Sequence, residues 1–375
     1  MTARRLLALV IALGIAAPVR ANMANPVQPG TPAGEPATAL AGLRIARETL
    51  TLDLRPLGRA RAGDVRFATV EAVYGVVNDG PARRLPIEFV ALGSGVEAGQ
   101  VWVDERPVAA QAIANLDVPA LWTGIVAAPG FDGEPLPYEA EVGAARGLRF
   151  TLAIGPGQHR VRVRYRVQAG SFDGGDHPNR TWQVAYSLAP ARLWAGFGQL
   201  DVAVLAPTGW NVAASLPLRA EPDTTSADGG ERLVGRFASL PGDVLAVSVR
   251  APEPAGRRLL HGLAFLAAFV VAGVFGALGG IAVGRTGRRA AWALPVSFLG
   301  GVSAAAALLA LRSIADGLGD SHALGYGSMM VNVLVLGPAV LLLGTAVAQT
   351  VAARVARRVR PETPGSAGPG PEIRN

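Results

Sequence analysis

Hydrophobic positions follow two different patterns along this 375-residue chain. Between residues 40 and 252, short runs rich in Val, Leu, Ile and aromatic residues are separated by Gly, Pro, Asn and Asp, a pattern typical of β-strands joined by turns. Beyond residue 258, long apolar runs replace the short ones. Many short strands without a helical period between them favour an antiparallel β-sandwich over a parallel α/β sheet. The pattern therefore predicts a mainly β region followed by apolar helices.

The β region is longer than one immunoglobulin-like domain, which has about 100 residues. We divide it into two tandem immunoglobulin-like sandwiches, over residues 40–116 and 146–252, because the connecting stretch 117–145 is loop-rich, with several Pro and Gly. One large sandwich with a long insertion is the alternative, since single β domains reach about 200 to 250 residues.

Three apolar runs, at residues 259–284, 290–311 and 329–351, are each long enough to cross a membrane, which takes about 20 residues. None of them contains Asp, Glu or Arg, which helices of that length in soluble cores rarely achieve. They predict three transmembrane helices in a lipid bilayer. The tail that follows, residues 352–375, is rich in Pro, Gly and Ser towards its end and is predicted to be disordered.

The first 21 residues have the three parts of a secretory signal peptide: a charged start, an apolar stretch of about a dozen residues, and Ala21 at the cleavage position. An uncleaved anchor is the alternative, although the stretch is shorter than a membrane span. Residues 22–39 are rich in Pro, Gly and Ala and are predicted to be a flexible linker. The β region is then expected to be exported.

The arginines beside the three spans predict the orientation of the chain. One side carries seven, namely Arg285, Arg288, Arg289, Arg354, Arg357, Arg358 and Arg360, and the other carries Arg257, Arg258 and Arg312. Because positive charge is enriched in cytoplasmic loops, the C-terminus is predicted to be cytoplasmic. An export signal followed by three crossings ends on the same side. The expected location is the bacterial inner membrane, with the β region on the periplasmic side.

The formal net charge of +7 by itself suggests a nucleic-acid or anionic-membrane partner. Residues 22–256, however, hold 21 Arg against 24 acidic residues, and residues 257–375 hold 11 Arg against 4. The excess therefore lies beside the membrane spans, and we expect no nucleic-acid partner. The chain has no Cys, which excludes disulfides, thiolate metal sites and thiol catalysis.

One predicted strand places four arginines on a single face. Arg160, Arg162, Arg164 and Arg166 alternate with Val and Tyr, and successive side chains of a strand point to opposite faces. Aligned guanidinium groups can bind an acidic polymer, lipid headgroups or an acidic partner. The alternative is a solvated face whose arginines pair with carboxylates of neighbouring strands.

The loop at residues 173–179 is the best candidate for a metal site. It contains Asp173, Asp176 and His177, but it lacks the twelve-residue calcium pattern and any zinc-protease spacing. A polar hairpin turn is the alternative.

The first predicted span has small residues at every fourth position. Ala268, Ala272, Gly276, Gly280 and Gly284 share one helix face and allow another helix to approach closely. The contact is either made within a three-helix bundle or with an envelope protein partner or a second copy.

Two segments resemble patterns of exported bacterial sandwich domains: Val73-Tyr-Gly-Val-Val-Asn-Asp-Gly, and Gly155-Pro-Gly-Gln-His-Arg-Val-Arg-Val-Arg-Tyr. Together with Trp182, Trp194 and Trp210, they are similar to uncharacterised envelope proteins that carry C-terminal transmembrane helices. The resemblance implies fold and location, and it implies no catalytic residue.

These observations predict a membrane-anchored, non-enzymatic binding or scaffolding protein of the cell envelope, without a cofactor. Two alternatives stay open. One is an accessory subunit of a transporter or secretion complex, and the other is a metal-assisted envelope hydrolase that uses the loop at residues 173–179.

Overall fold

The structure, a computed structural model, describes most of the chain beyond residue 40. The described residues are 27–28, 33–36, 40–60, 65–91, 97–116, 127–138, 145–174, 177–222, 230–286, 288–319 and 332–359. The predicted signal peptide, Asp176 and the last sixteen residues lie outside these ranges.

The described residues form nineteen strands, which confirms the strand-rich region. They are β1 (Val27–Gln28), β2 (Ala33–Pro36), β3 (Leu40–Asp53), β4 (Phe67–Asn78), β5 (Arg83–Ala91), β6 (Glu97–Val103), β7 (Arg106–Val108), β8 (Ala110–Leu116), β9 (Ala127–Pro129), β10 (Pro135–Pro137), β11 (Ala145–Ile154), β12 (Gly157–Gln168), β13 (Gly170–Phe172), β14 (Thr181–Ser187), β15 (Trp194–Ala206), β16 (Asn211–Ala214), β17 (Arg219–Pro222), β18 (Glu231–Phe237) and β19 (Val244–Arg250).

Two large sheets contain most of these strands. Sheet 1 has the order β1-β13-β14-β2-β5-β11-β8, with β19 beside β14 and β16 beside β19. Sheet 2 has the order β17-β18-β15-β3-β4-β12-β6-β7. The inner faces of both sheets contribute to one hydrophobic core, in which Phe89 of sheet 1 meets Tyr165 of sheet 2 with ring centroids 5.2 Å apart. The two sheets therefore face each other across a shared core.

This core explains the alternation seen in the sequence. Along β12, Val161, Val163 and Tyr165 are buried, while the intervening arginines point away from the core. A strand that is buried on one face must keep this register, because a shift of one residue would bury the charged side chains.

The proposed division into two tandem sandwiches is not what the strand pairing gives. β4 of the first predicted unit pairs with β12 of the second, and β5 pairs with β11. Two further pairs, β3 with β15 and β2 with β14, are parallel, so the sheets are not purely antiparallel. Strands therefore pair across the predicted boundary, because turn-rich composition marks where the chain leaves a sheet and does not show which strand it joins next.

Two segments predicted to be irregular contain strands. Within the predicted linker, β2 pairs with β5 and β14, and β1 pairs with β13. Within the predicted connection 117–145, β9 and β10 form a small hairpin, and Ala128 and Tyr138 pack against Ala185 and Ala246 of sheet 1. The linker strands are therefore held by backbone pairing to sheet 1, and the β9–β10 hairpin is held by side-chain packing against it.

Three helices follow, α1 (Ala255–Arg285), α2 (Leu294–Asp316) and α3 (Gly337–Val359). All three are long and apolar enough to cross a membrane, which confirms the three predicted spans as candidate membrane helices. A π-helical turn, Asn332–Leu336, precedes α3, and Pro338 occupies its first turn, where a missing N–H is tolerated. α3 continues to Val359, so residues 352–359 are helical and not part of an irregular tail.

Candidate functional site

The outer face of sheet 2 carries arginines from four strands, β3, β12, β17 and β18. Because neighbouring strands are held in register, side chains opposite one another point to the same face. Thr49 of β3 lies opposite Val73 of β4, which lies opposite Arg162 of β12. The arginines on this outer face are Arg47, Arg160, Arg162, Arg164, Arg166, Arg219, Arg232 and Arg236. We call this surface the arginine face.

Three of the four predicted arginines of β12 have close side-chain partners, and the fourth, Arg164, lies opposite Glu71 of β4. Arg160 Nη1 donates to Glu105 Oε1 at 2.9 Å. Arg162 lies 3.7 Å from the same carboxylate, and its guanidinium stacks over the Trp102 ring at 4.0 Å. Arg166 lies over the Phe67 ring at 4.4 Å. This part of the face therefore combines ion pairing with cation–π stacking, which holds the long side chains against the sheet.

Glu105 reaches Arg160 because the β6–β7 hairpin turns tightly at Asp104 and Glu105. Both residues have positive φ, 49° and 64°, as a two-residue turn with left-handed backbone requires. Asp104 accepts hydrogen bonds from the backbone N–H of Arg160 at 2.9 Å and from Nδ1 of His159 at 2.8 Å. Burial alone would raise the pKa of Asp104, but these hydrogen bonds lower it below its usual value. The turn is thereby fixed to the start of the arginine series.

An open cavity of about 820 Å³ lies on the same arginine face, at the edge of the sheet away from the β12 arginines. It is formed by β3, β15, β17 and β18, and its charged lining consists of Arg47, Arg219, Arg232, Arg236, Asp201 and Glu221. Pro217, Leu218 and Val234 add an apolar wall. Four guanidinium groups against two carboxylates leave this cavity positively charged.

Asp201 is at the centre of the charged lining. Its carboxylate accepts hydrogen bonds from Arg47, from Arg236 Nε at 2.8 Å and from Gln199 Nε2 at 2.9 Å. Burial tends to raise the pKa of Asp201, but the hydrogen bonds from Arg236, Arg47 and Gln199 lower it below its usual value. Arg219 pairs with Glu221, and Arg232 forms no ion pair within the described part of the chain. Two of the four arginines are therefore committed to Asp201.

Replacement of Asp201 by Asn is expected to destabilise the full-length protein by about 1–2 kcal/mol at neutral pH, because two charge-assisted hydrogen bonds are lost. The folded-state pKa of Asp201 lies below its unfolded value, so its contribution is complete above the unfolded pKa and is lost as the pH falls through the folded pKa. The thermal midpoints of the unmodified protein and of Asp201→Asn, measured from pH 7 downwards, should therefore converge in acid. Asp243→Asn is the control, because that exposed carboxylate pairs only with exposed Arg192 among the described residues; an equal effect at Asp243 would contradict the prediction.

The predicted metal loop is used mainly for local contacts. Asp173 is buried and pairs with Arg180 at 3.4 Å, and His177 Nδ1 accepts the backbone N–H of Asn179 at 3.1 Å. Burial and the nearby Arg250 lower the pKa of His177. Within the described ranges, no three His, Cys, Asp or Glu side chains form a group that could hold a metal ion, and Asp176 lies outside them.

The small residues of α1 lie in the interior of the helix bundle. Ala268, Ala272, Gly276, Gly280 and Gly284 are all buried. A Cβ on Gly280 would lie 2.6 Å from the carbonyl oxygen of Ala352, and one on Gly284 would lie 3.1 Å from Cα of Ala356. This face is thus covered by α3 of the same chain. Of the two contacts considered from the sequence, the structure shows the one within the three-helix bundle.

The cavity arginines were not among the sequence candidates. Arg219, Arg232 and Arg236 stand in short strands without the long alternation of β12, and Arg47 follows a bulge in β3. The two-residue spacing of Arg232, Val234 and Arg236 was the only local signal that they share a face.

No protein-family model and no curated protein matches the sequence. Among solved structures, a protein assigned as nutrient binding from Legionella pneumophila is 12% identical, with a TM-score of 0.43, over 60% of this chain and 72% of its own. An M1 zinc metallopeptidase from Deinococcus radiodurans is 14% identical, with a TM-score of 0.29, over 56% of this chain and 43% of its own. Likenesses this weak assign no function to the chain.

Proposed function

We propose that this protein is a membrane-anchored binding module of the bacterial cell envelope, which uses the arginine face to bind an acidic ligand. The ligand class is a molecule with several carboxylate or phosphate groups. In this proposal the chain has no enzymatic activity and acts by holding its ligand near the membrane. The predicted signal peptide, an immunoglobulin-like sandwich, a periplasmic β region and a cytoplasmic C-terminus all belong to the proposal.

The observation that carries the proposal is the open cavity with four arginines on the arginine face. Guanidinium groups bind carboxylates and phosphates through paired N–H donors, so several of them around one opening favour an acidic ligand. Arg219 and Arg236 are 81% and 73% exposed in their side chains and are accessible to such a ligand.

The distribution of charge supports the same ligand class. Residues 22–256 hold 21 Arg against 24 acidic residues, a slight negative excess. Eight of these arginines nevertheless point from a single face of sheet 2. A positive surface on an otherwise acidic region attracts and orients an acidic ligand, and this attraction weakens as salt is added.

The test uses the full-length protein in detergent with poly-L-glutamate and polyphosphate as probes. Arg219→Gln with Arg232→Gln is the best variant, because neither side chain holds Asp201. We expect this variant to bind both probes about tenfold more weakly or worse. Each lost charge-assisted contact removes about 1.5–3 kcal/mol of binding free energy. Arg149→Gln with Arg192→Gln is the matched control, as these exposed arginines pair with acids away from the arginine face. Equal binding by all three proteins would refute the site.

A further inference from the structure

The end of the helix bundle formed by the end of α1, the start of α2 and the end of α3 carries a separate cluster of arginines. Its members are Arg285, Arg288, Arg289, Arg354, Arg357 and Arg358, and all six are exposed. We call this cluster the arginine end. The one acidic residue of α1, α2 and α3 is Asp316, which lies at the opposite end of the bundle, so these helices supply no carboxylate to neutralise the arginine end.

Close contact between α1 and α3 concentrates this charge. A Cβ on Gly284 would lie 3.1 Å from Cα of Ala356 and 3.2 Å from Cβ of Val359. The last turns of the two helices therefore touch, and Arg285 follows Gly284 directly while Arg357 and Arg358 lie between the two contacted residues of α3. Guanidinium groups from both helices consequently project from one small area.

An aromatic side chain lies beside the cluster. Trp292 is 64% exposed, and the Arg288 guanidinium lies 5.1 Å from the centroid of its ring. Exposed Trp at the end of a membrane helix is typical of the interface between lipid headgroups and hydrocarbon. A Trp–Arg pair at the end of a candidate span is therefore suited to the headgroup region, where phospholipid phosphates lie.

At the opposite end of the bundle, Arg257 and Arg258 pair with carboxylates of the same chain. There, Arg257 Nη1 donates to Glu253 at 2.6 Å and Arg257 Nη2 to Asp316 at 3.2 Å. Arg258 Nε donates to Glu253 at 2.8 Å. At the arginine end, none of the six arginines has an ion-pair partner within the described part of the chain. Its counter-charge must come from outside these helices.

We propose that the arginine end binds the headgroups of anionic phospholipids. The phosphate oxygens would accept paired N–H bonds from the guanidinium groups, and the Trp292 ring would lie against the glycerol region. Each arginine near an anionic lipid surface raises the affinity of the protein for that surface by about fivefold. The site is separate from the arginine face and does not depend on the proposed function.

The experiment measures lipid co-purified with the full-length protein from nanodiscs that contain equal amounts of phosphatidylglycerol and phosphatidylcholine. We expect enrichment of phosphatidylglycerol in the unmodified protein, and a decrease of this enrichment by about fivefold in Arg357→Gln. The variant with Arg285, Arg288, Arg357 and Arg358 all changed to Gln should retain the two lipids about equally. Arg258→Gln, at the opposite end, is the matched control and should retain the enrichment.

A second measurement covers the case in which the fourfold variant does not fold. Phosphatidylglycerol added to the unmodified protein in detergent should raise its thermal midpoint more than phosphatidylcholine does, and added salt should abolish the difference. Glycerol phosphate should have no such effect at the same concentration, because without acyl chains it is not concentrated in the detergent micelle around the helices. Equal retention of both lipids by the unmodified protein, or undiminished enrichment in a folded fourfold variant, would overturn the proposal.

Discussion

Replacement of Gly276 and Gly280 by Leu is expected to force α3 away from α1 and to unfold the helix bundle. A Cβ on Gly276 would overlap the carbonyl oxygen and Cα of Ala348, and a Cβ on Gly280 would lie 2.6 Å from the carbonyl oxygen of Ala352. These obstacles are backbone atoms of a helix, so no side-chain rotation relieves them. Overpacking costs about 1–3 kcal/mol at each site, and two sites one turn apart add their effects on the same crossing.

The same helix supplies a control for this prediction. A Cβ on Gly262 or Gly273 has nothing within 4 Å, so Leu at these two positions adds the same volume to open sides of α1. Unfolding of the full-length protein is measured in mixed micelles with an increasing fraction of SDS. The variant with Gly276→Leu and Gly280→Leu should unfold at a lower SDS fraction than the unmodified protein, and the control should unfold at nearly the same fraction. A stable bundle in the first variant would mean that α1 and α3 do not cross as described.

Tyr186→Phe is expected to cost the protein about 2–3 kcal/mol of stability, because one hydroxyl links two buried polar groups. The Tyr186 hydroxyl lies 2.9 Å from the hydroxyl of Tyr74 and donates to Glu48 Oε1 at 3.4 Å. Glu48 and Tyr186 are fully buried, so water cannot replace the lost hydroxyl. The link joins sheet 1 to sheet 2, and its loss weakens contact between the sheets.

Tyr74→Phe separates the two parts of this effect. It removes the contact between the two hydroxyls, and it keeps the stacking of the ring on Trp194, whose centroid is 6.3 Å away. We expect it to cost about 1 kcal/mol, less than Tyr186→Phe, because the contact with Glu48 is retained. Thermal unfolding of both single variants and the double variant measures the coupling. Equal costs for the two single variants would show that the Glu48 contact contributes nothing.

Some features could be predicted because they depend on local sequence. The apolar runs predicted all three helices; α1 agrees within a few residues, while α3 continues to Val359, beyond the predicted end at residue 351. The alternation of β12 correctly assigned Val161 and Tyr165 to the core, since strand side chains point to opposite faces in turn.

Other features could not be predicted because they depend on which strands become neighbours. Glu105 approaches Arg160 across 55 positions, and Arg47 approaches Asp201 across 154. Alternation indicates that a side chain faces away from the core, but it carries no information about the strand beside it. The sequence predicted that the β12 arginines could pair with carboxylates of neighbouring strands, but it did not identify which carboxylates.

The sequence by itself determined the strand-rich region, the three apolar helices, the inner face of β12 and the small-residue face of α1. Only the tertiary structure decided that the two predicted β units share one core, that the small face of α1 is covered by α3, and that Arg47, Arg219, Arg232 and Arg236 surround one cavity. The physical reason is that hydrophobic period and length are properties of a local segment. Strand order and helix crossing instead follow from how distant segments bury their apolar surfaces together.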